Sequence, residues 1–208
     1  MITIIDYGLG NLFSLKSSLG FLGAKVEITA NKDKIASADK IILPGVGAFG
    51  DAMAMLYEQG LVDVILEKAA AGIPILGICL GMQLLFESSE EYGPHRGLSL
   101  ISGAVKKLDV TEKQNVPLKI PHMGWNRLIF NADCPLLAGV DEGSYVYYVH
   151  SFYAPGEDAM AYSDYGVKVA GVVGAPRNEG RDNVFGTQFH PEKSGGVGLR
   201  ILKNFCEL

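Results

Sequence analysis

The chain has 208 residues, 48% hydrophobic and 20% charged, an ordinary globular composition with enough length for one full α/β core. Its net charge of −5 speaks against a nucleic-acid-binding surface. The N-terminal residues Met1 to Asp6 lack the basic start of a secretory signal, and the longest apolar run, 73–86, is too short to cross a bilayer. Cys79, Cys134 and Cys206 are far apart and without C-x-x-C spacing, which fits a reducing cytoplasm and predicts neither a disulfide framework nor a metal site.

In chain order, residues 2–6 read as a hydrophobic strand, and Asn11 is placed to cap a helix through Leu12, Leu15, Leu19 and Leu22 that Gly23 stops. Residues 25–29 alternate as a second strand, Asn31 opens a short helical turn, and 40–43 form a third strand that ends at Pro44. An amphipathic segment over 51–71 breaks near Gly60, and 74–78 is a nearly continuous apolar run of the kind buried on both faces of a parallel sheet. From Leu80 the spacing turns helical, with Leu84, Met82, Leu85 and Phe86 on the apolar face, before a polar loop over 88–97. Residues 104–108, 125–130, 144–149, 159–165, 168–173 and 183–189 read as strands without long helices between them, and a closing helix begins at Ser194. Strands alternating with helices in the first part predict a mostly parallel α/β sheet with helices on both faces. The second part predicts an added antiparallel layer. With no linker or repeat in sight, residues 1–208 are read as a single domain.

The stretch Gly77-Ile78-Cys79-Leu80-Gly81 sets a nucleophile between glycines at a strand-to-helix turn, the thiol form of a nucleophile elbow. Such a turn strains the nucleophile's backbone and puts the sulfur near the positive end of a helix. A buried free Cys is also a common small hydrophobe, so this stretch alone leaves both readings open. Gly45-Val46-Gly47-Ala48-Phe49-Gly50 matches G-x-G-x-x-G. However, the next strand ends in Cys79 rather than in an acid that could hold a ribose, which argues against a dinucleotide site. Turned toward Cys79, the loop could instead supply one backbone N–H of an oxyanion hole, with the Leu80 N–H as the other. No cofactor is expected.

Of the four histidines, His95 lies in the polar loop, while His122 and His150 suit structural or interfacial roles. His190 follows a strand and is one residue, Pro191, away from Glu192. In an extended segment those two side chains share a face, so Glu192 can orient the imidazole and stabilise its charge. Cys79 as nucleophile, His190 as base and Glu192 as orienter point to acyl transfer through a thioester.

Gly77-Ile78-Cys79-Leu80-Gly81-Met82-Gln83 and Gln188-Phe189-His190-Pro191-Glu192 resemble the class I (triad) glutamine amidotransferases, over the whole chain. With Asp6 to Asn11, Leu43 to Gly47, Pro121 to Asn126 and His190 to Ser194, the resemblance narrows to the glutaminase subunits of imidazole glycerol phosphate synthases. It implies that Cys79 attacks the side-chain amide of L-glutamine, that His190 protonates the departing ammonia, and that water hydrolyses the thioester. Val46 and Leu80 would donate the oxyanion-hole N–H groups, and Gly47, Gln83, Ser151 and Phe152 would hold the glutamine. Relatives often carry Tyr where this chain has Phe152, which leaves a backbone contact intact and removes any phenol. The resemblance further implies a heterodimer with a separate (β/α)8-barrel cyclase subunit that takes up the ammonia. Asn11, His122, Met123, Trp125, Asn126 and Lys193 would face it, although Met123 and Trp125 could equally be core residues.

Overall fold

The structure is a computed structural model, and residues 1–110, 118–174 and 182–208 are described. Its first part alternates as the hydrophobic pattern requires. β1 (Ile2–Ile5), α1 (Leu12–Phe21), β2 (Val26–Thr29), α2 (Lys32–Ala36) and β3 (Lys40–Leu43) lead into α3 (Phe49–Glu58), α4 (Leu61–Ala70) and β4 (Ile75–Ile78). Asn31 caps α2, its side chain accepting the Lys34 N–H at 3.1 Å, whereas Asn11 makes no side-chain cap to α1. The amphipathic segment is two helices broken around Gly60.

The helix after Cys79 departs from expectation. α5 covers only Leu80–Leu84, and the predicted polar loop contains β5 (Phe86–Ser89) and β6 (His95–Arg96). The carbonyls of Leu84, Leu85 and Phe86 accept N–H groups from Leu98, Leu100 and Ser99, so a tertiary pairing takes the bonds that a longer helix would need. Then follow β7 (Ile101–Lys107), β8 (His122–Arg127), β9 (Ile129–Phe130), β10 (Tyr145–His150), β11 (Phe152–Tyr153), β12 (Ala161–Asp164), β13 (Lys168–Val173), β14 (Val184–Thr187) and α6 (Gly195–Glu207).

Eight strands form the main sheet in the order β2-β1-β3-β4-β14-β13-β12-β9. β2, β1, β3, β4 and β14 pair in parallel, and β13, β12 and β9 add antiparallel strands at one side. β11, β7, β5 and β6 make a second sheet, and β8 pairs with β10 in a two-stranded ribbon. One apolar cluster, with Ile5, Leu43, Phe49 and Leu84, and a second, with Ile4, Leu76, Phe189 and Phe205, hold the buried side chains. No helix among the described residues is long and apolar enough to cross a membrane. Three neighbouring parallel strands, β3, β4 and β14, end at one edge, and the chain after each carries a group of interest: Val46, Cys79 and His190. Ligand sites of open α/β sheets form at such carboxyl ends.

Candidate active site

Cys79 sits between β4 and α5 at φ 55°, ψ −112°, a sparsely populated conformation for a residue with a side chain. Its N–H is held by the Thr187 carbonyl at 2.7 Å, so the strained turn is anchored on β14. The glycines on either side are required by close approach. A Cβ on Gly77 would lie 2.6 Å from the Gly81 oxygen, and one on Gly81 only 1.8 Å from the Leu43 oxygen. The turn is thereby pressed against the end of β3, and the loop 44–47 closes over it: a Cβ on Gly45 would meet the Gly81 nitrogen at 2.9 Å and Leu80 Cβ at 3.0 Å. Tyr7, fully buried, donates its hydroxyl to the Pro44 carbonyl at 2.8 Å. Burial, and then the neighbouring Cys79, push the Tyr7 phenol far above its ordinary range, so it remains a donor and keeps the loop in place. This packing gives the G-x-G-x-x-G segment a structural reason of its own. Gly47 has φ 104° with open space where a Cβ would be, so conformation rather than crowding demands glycine there.

His190 and Glu192 are also brought together, by a route other than the expected one. His190 is extended (φ −94°, ψ 100°), but Pro191–Lys193 is a 3₁₀ turn rather than a continued strand. The turn folds Glu192 back, and its Oε1 lies 2.9 Å from His190 Nδ1. Both side chains are almost fully buried, at 2% and 3% exposure. Burial opposes charge on His190, but Cys79 and then Glu192 outweigh it and hold its pKa up at about 10. Both partners thus favour the protonated ring. Its Nδ1 is taken by Glu192, and its buried Nε2 has no hydrogen-bond partner among the described residues, leaving that N–H available to a group in the cavity. The loop carrying His190 is tied to the ribbon: the His190 N–H donates to the Tyr147 carbonyl at 3.0 Å, and the Ser194 hydroxyl donates to the His190 carbonyl at 2.7 Å.

Val46, Gly47, Cys79, Leu80, Gln83, Ser151, Phe152 and His190 line one cavity of about 300 Å³, the size of a small-molecule site. As the first residue of α5, Leu80 has an N–H without an intrahelical acceptor. Gln83 donates through Nε2 to the Phe152 carbonyl (2.8 Å) and to Gln188 Oε1 (3.0 Å), and Gln188 Nε2 lies 3.8 Å from Cys79 Sγ.

Glu91, Val149 and His150 complete the lining of this cavity and Gln188 lies next to it; none was assigned to the site from the sequence. Glu91 lines it with a carboxylate 8% exposed that also receives the first N–H of α3, from Phe49, at 2.7 Å. It came from what reads as a polar loop, and no local pattern marks it. Gln188 is wholly buried beside Cys79; its place two residues before His190, just past the end of β14, was the available signal. Among the described residues no cluster of three or more His, Cys, Asp or Glu could hold a metal.

The family model described as glutamine amidotransferase class-I matches residues 3–208. The chain belongs to this family. Among its relatives is "Imidazole glycerol phosphate synthase subunit HisH" of Geobacillus thermodenitrificans (strain NG80-2), 52% identical over 99% of this chain and 94% of that one. The protein of the same name in Bacillus thuringiensis (strain Al Hakam) is also 52% identical, over 99% and 93%. Solved structures share the amidotransferase fold. PurLQS from Thermotoga maritima superposes with a TM-score of 0.73 at 22% identity, covering 99% of this chain and 97% of that one. The glutaminase domain of Trypanosoma brucei CTPS gives 0.64 at 15%, covering 99% and 93%.

Of the residues expected at an amidotransferase partner surface, five have surface exposure. Met123 and Trp125 are 61% and 55% exposed, so neither is a core residue. Lys193 is exposed too, and Asn11 and Asn126 are half-buried. Lys193 Nζ stands 5.9 Å from the centre of the Tyr147 ring, which meets the Trp125 ring edge-on at 6.0 Å. His122 is the correction. It is 2% exposed and does not reach the surface, because strand alternation puts Met123 and Trp125 outward and turns His122 inward.

Proposed function

We propose that this chain hydrolyses L-glutamine to glutamate and ammonia, as the glutaminase subunit of an imidazole glycerol phosphate synthase in histidine biosynthesis. The observation that carries the chemistry is the buried His190–Glu192 pair, 2.9 Å apart, sharing the cavity of a strained Cys79. A protonated imidazole beside a thiol is the arrangement that activates a Cys nucleophile.

In this reading the Cys79 thiolate adds to the side-chain carbonyl carbon of glutamine. The backbone N–H groups of Leu80 and Val46 stabilise the oxyanion. His190 gives its Nε2 proton to the amide nitrogen, the C–N bond breaks, ammonia leaves, and a thioester remains. His190, now neutral, takes a proton from water, and the hydroxide adds to the thioester carbonyl. Collapse releases glutamate and restores the thiolate beside the imidazolium. Glu192 keeps the Nδ1–H tautomer and stabilises the charged ring throughout. Gly47, Gln83 and the Ser151-Phe152 backbone hold the substrate, and the buried Glu91 carboxylate meets its α-ammonium group. Nothing in this cycle calls for a cofactor.

The ammonia passes to a (β/α)8-barrel cyclase subunit, in a cytoplasmic heterodimer that binds neither nucleic acid nor membrane. We read residues 1–208 as one amidotransferase domain whose partner surface includes Asn11, Met123, Trp125, Asn126 and Lys193. Exposed aromatic and Met side chains on a rigid ribbon are typical of such surfaces. In the test, Cys79→Ala stops glutamate formation while the cyclase complex still turns over with ammonium salts. Failure of the ammonium-supported reaction in a folded complex would refute this division of labour. Full glutaminase activity of the isolated chain would instead identify a stand-alone amide hydrolase.

A further inference from the structure

From the cavity wall, which His150 lines, runs a chain of polar groups with only one consistent arrangement of hydrogens. Asn126 is fixed by two backbone groups: its Oδ1 accepts the Arg127 N–H at 2.8 Å and its Nδ2 donates to the Asp164 carbonyl at 2.9 Å. The other Nδ2 hydrogen is directed to His122 Nε2, 3.3 Å away, which must therefore accept. His122 then carries its proton on Nδ1 and donates to His150 Nε2 at 2.9 Å. His150 in turn donates from Nδ1 to the Phe152 carbonyl at 2.9 Å, the carbonyl that also receives Gln83 Nε2. A backbone carbonyl can only accept and an amide nitrogen can only donate, so both ends force the same tautomers. Both rings must be neutral, since an extra proton on either would set donor against donor.

The surroundings enforce that state. His122 lies between the rings of Tyr165, at 3.9 Å, and Tyr148, at 4.5 Å, both within 20° of parallel. Burial, then His150, takes the His122 pKa down to about 3. Burial also lowers His150, to about 4; the Phe152 carbonyl works against this and the positive His190 adds to it. Among the described residues, Tyr148 and Tyr165 face His122, and His190, Cys79 and Glu91 share the cavity that His150 lines.

We propose that His122 and His150 are positioning residues for glutamine, a one-way hydrogen-bond relay that fixes the Phe152 carbonyl and, through it, Gln83 at the cavity wall. The role rests on the glutaminase reading of the cavity above. It explains why two buried imidazoles stand where apolar side chains would fill the space more cheaply. It also explains why the substrate wall does not depend on a phenol at position 152: the fixed element there is a carbonyl, not a side chain.

The test uses the complex with its cyclase for steady-state kinetics. Alkylation of Cys79 by the diazoketone analogue of L-glutamine is compared with alkylation by iodoacetamide, which needs only the thiol. His150→Asn places an amide N–H where Nδ1–H stood, whereas His150→Leu and the polar, fold-sparing His150→Gln do not. Losing one buried hydrogen bond to the wall predicts that KM for glutamine rises about tenfold in the Leu and Gln variants. The inhibition constant of the diazoketone should rise in step, with kcat and the iodoacetamide rate nearly unchanged. His150→Asn should return KM most of the way to wild type. Equal KM increases in all three variants would reduce the pair to packing, and a fall in kcat at constant KM would place the effect elsewhere; either overturns the proposal. A wild-type Cys79 that reacts with iodoacetamide but not with the diazoketone would overturn the glutamine reading itself.

Discussion

Gly81→Ala gives the sharpest test of how the elbow is built. The new methyl carbon would lie 1.8 Å from the Leu43 oxygen and 2.7 Å from the Leu43 carbonyl carbon. Real Cβ atoms essentially never approach a neighbour closer than 3.0 Å, so α5 and the end of β3 must separate by about 1.2 Å, taken as 3.0 − 1.8. Neither side is free to move. Leu43 is the last β3 residue in register with β4, opposite Gly77, and the Cys79 N–H is bound to Thr187. The nearest relief is displacement of the loop 44–47, which Gly45 packs onto the Gly81 nitrogen. Overpacking of this kind costs about 1–3 kcal/mol, a fall in Tm of roughly 2–12 °C for a protein of this size. A shift of about 1 Å between nucleophile and oxyanion donors costs on the order of a hundredfold in rate. We therefore expect kcat/KM for glutamine, in the presence of the cyclase, to fall far more than stability does. The ammonium-supported reaction of the same complex should survive. Wild-type melting and wild-type glutaminase activity in Gly81→Ala would refute the packing argument for the elbow.

Gly47→Ala meets no atom within 4 Å but sits at φ 104°. It should cost about 1–3 kcal/mol of local strain, relieved by rotation of the loop, so glutaminase rate should drop with little change in melting temperature. Glu192→Gln removes a charge that raises His190; an imidazole titration followed by NMR should show its pKa moving down from about 10. The alkaline limb of the glutaminase profile should move to lower pH with it. Acid stability should reflect the two neutral histidines. Their folded pKa values lie below the unfolded 6.5, so their stabilisation is present above pH 6.5 and is lost as pH falls toward 4 and 3. At pH 5 that is a loss of roughly 2 kcal/mol each. His190, raised above 6.5, contributes most below pH 6.5 and loses its contribution as pH rises toward 10. Urea melts at pH 5 and pH 8 should therefore show wild type weaker in acid, and a His122→Phe/His150→Leu double variant with that trend reversed.

The parallel half of the fold was legible because its signals are local. Apolar runs such as 40–43 and 74–78 end at Pro44 or at the elbow, and Asn31, Gly23 and Gly60 mark the breaks between elements. The region after Cys79 was not legible, for a physical reason. The apolar run from Leu80 to Phe86 has helical spacing, yet the carbonyls of Leu84, Leu85 and Phe86 are taken by residues 98–101. Propensity in a short segment is a weak force against several tertiary hydrogen bonds. The same crossing of the chain brings Glu91 to the cavity.

The candidate site divides along the same line. Cys79, Leu80 and Gln83 follow one another on a single strand-turn-helix, and His190 and Glu192 are two residues apart, so sequence spacing places each group. What spacing did not contain is the hydrogen-bond wiring between them. His122 was expected to face the partner, although the period-two pattern of Pro121-His122-Met123-Gly124-Trp125-Asn126 already separates Met123 and Trp125 from His122 and Asn126. Which of the two faces is buried depends on β10 and on Tyr148 and Tyr165, which are near in space and far along the chain. Strand alternation thus gives the ribbon two uses at once. Its outer face carries Met123, Trp125 and Tyr147 toward solvent, and its inner face carries His122 and His150 to the Phe152 carbonyl. A partner seated on the outer face would touch the same two strands whose inner face carries His122 and His150.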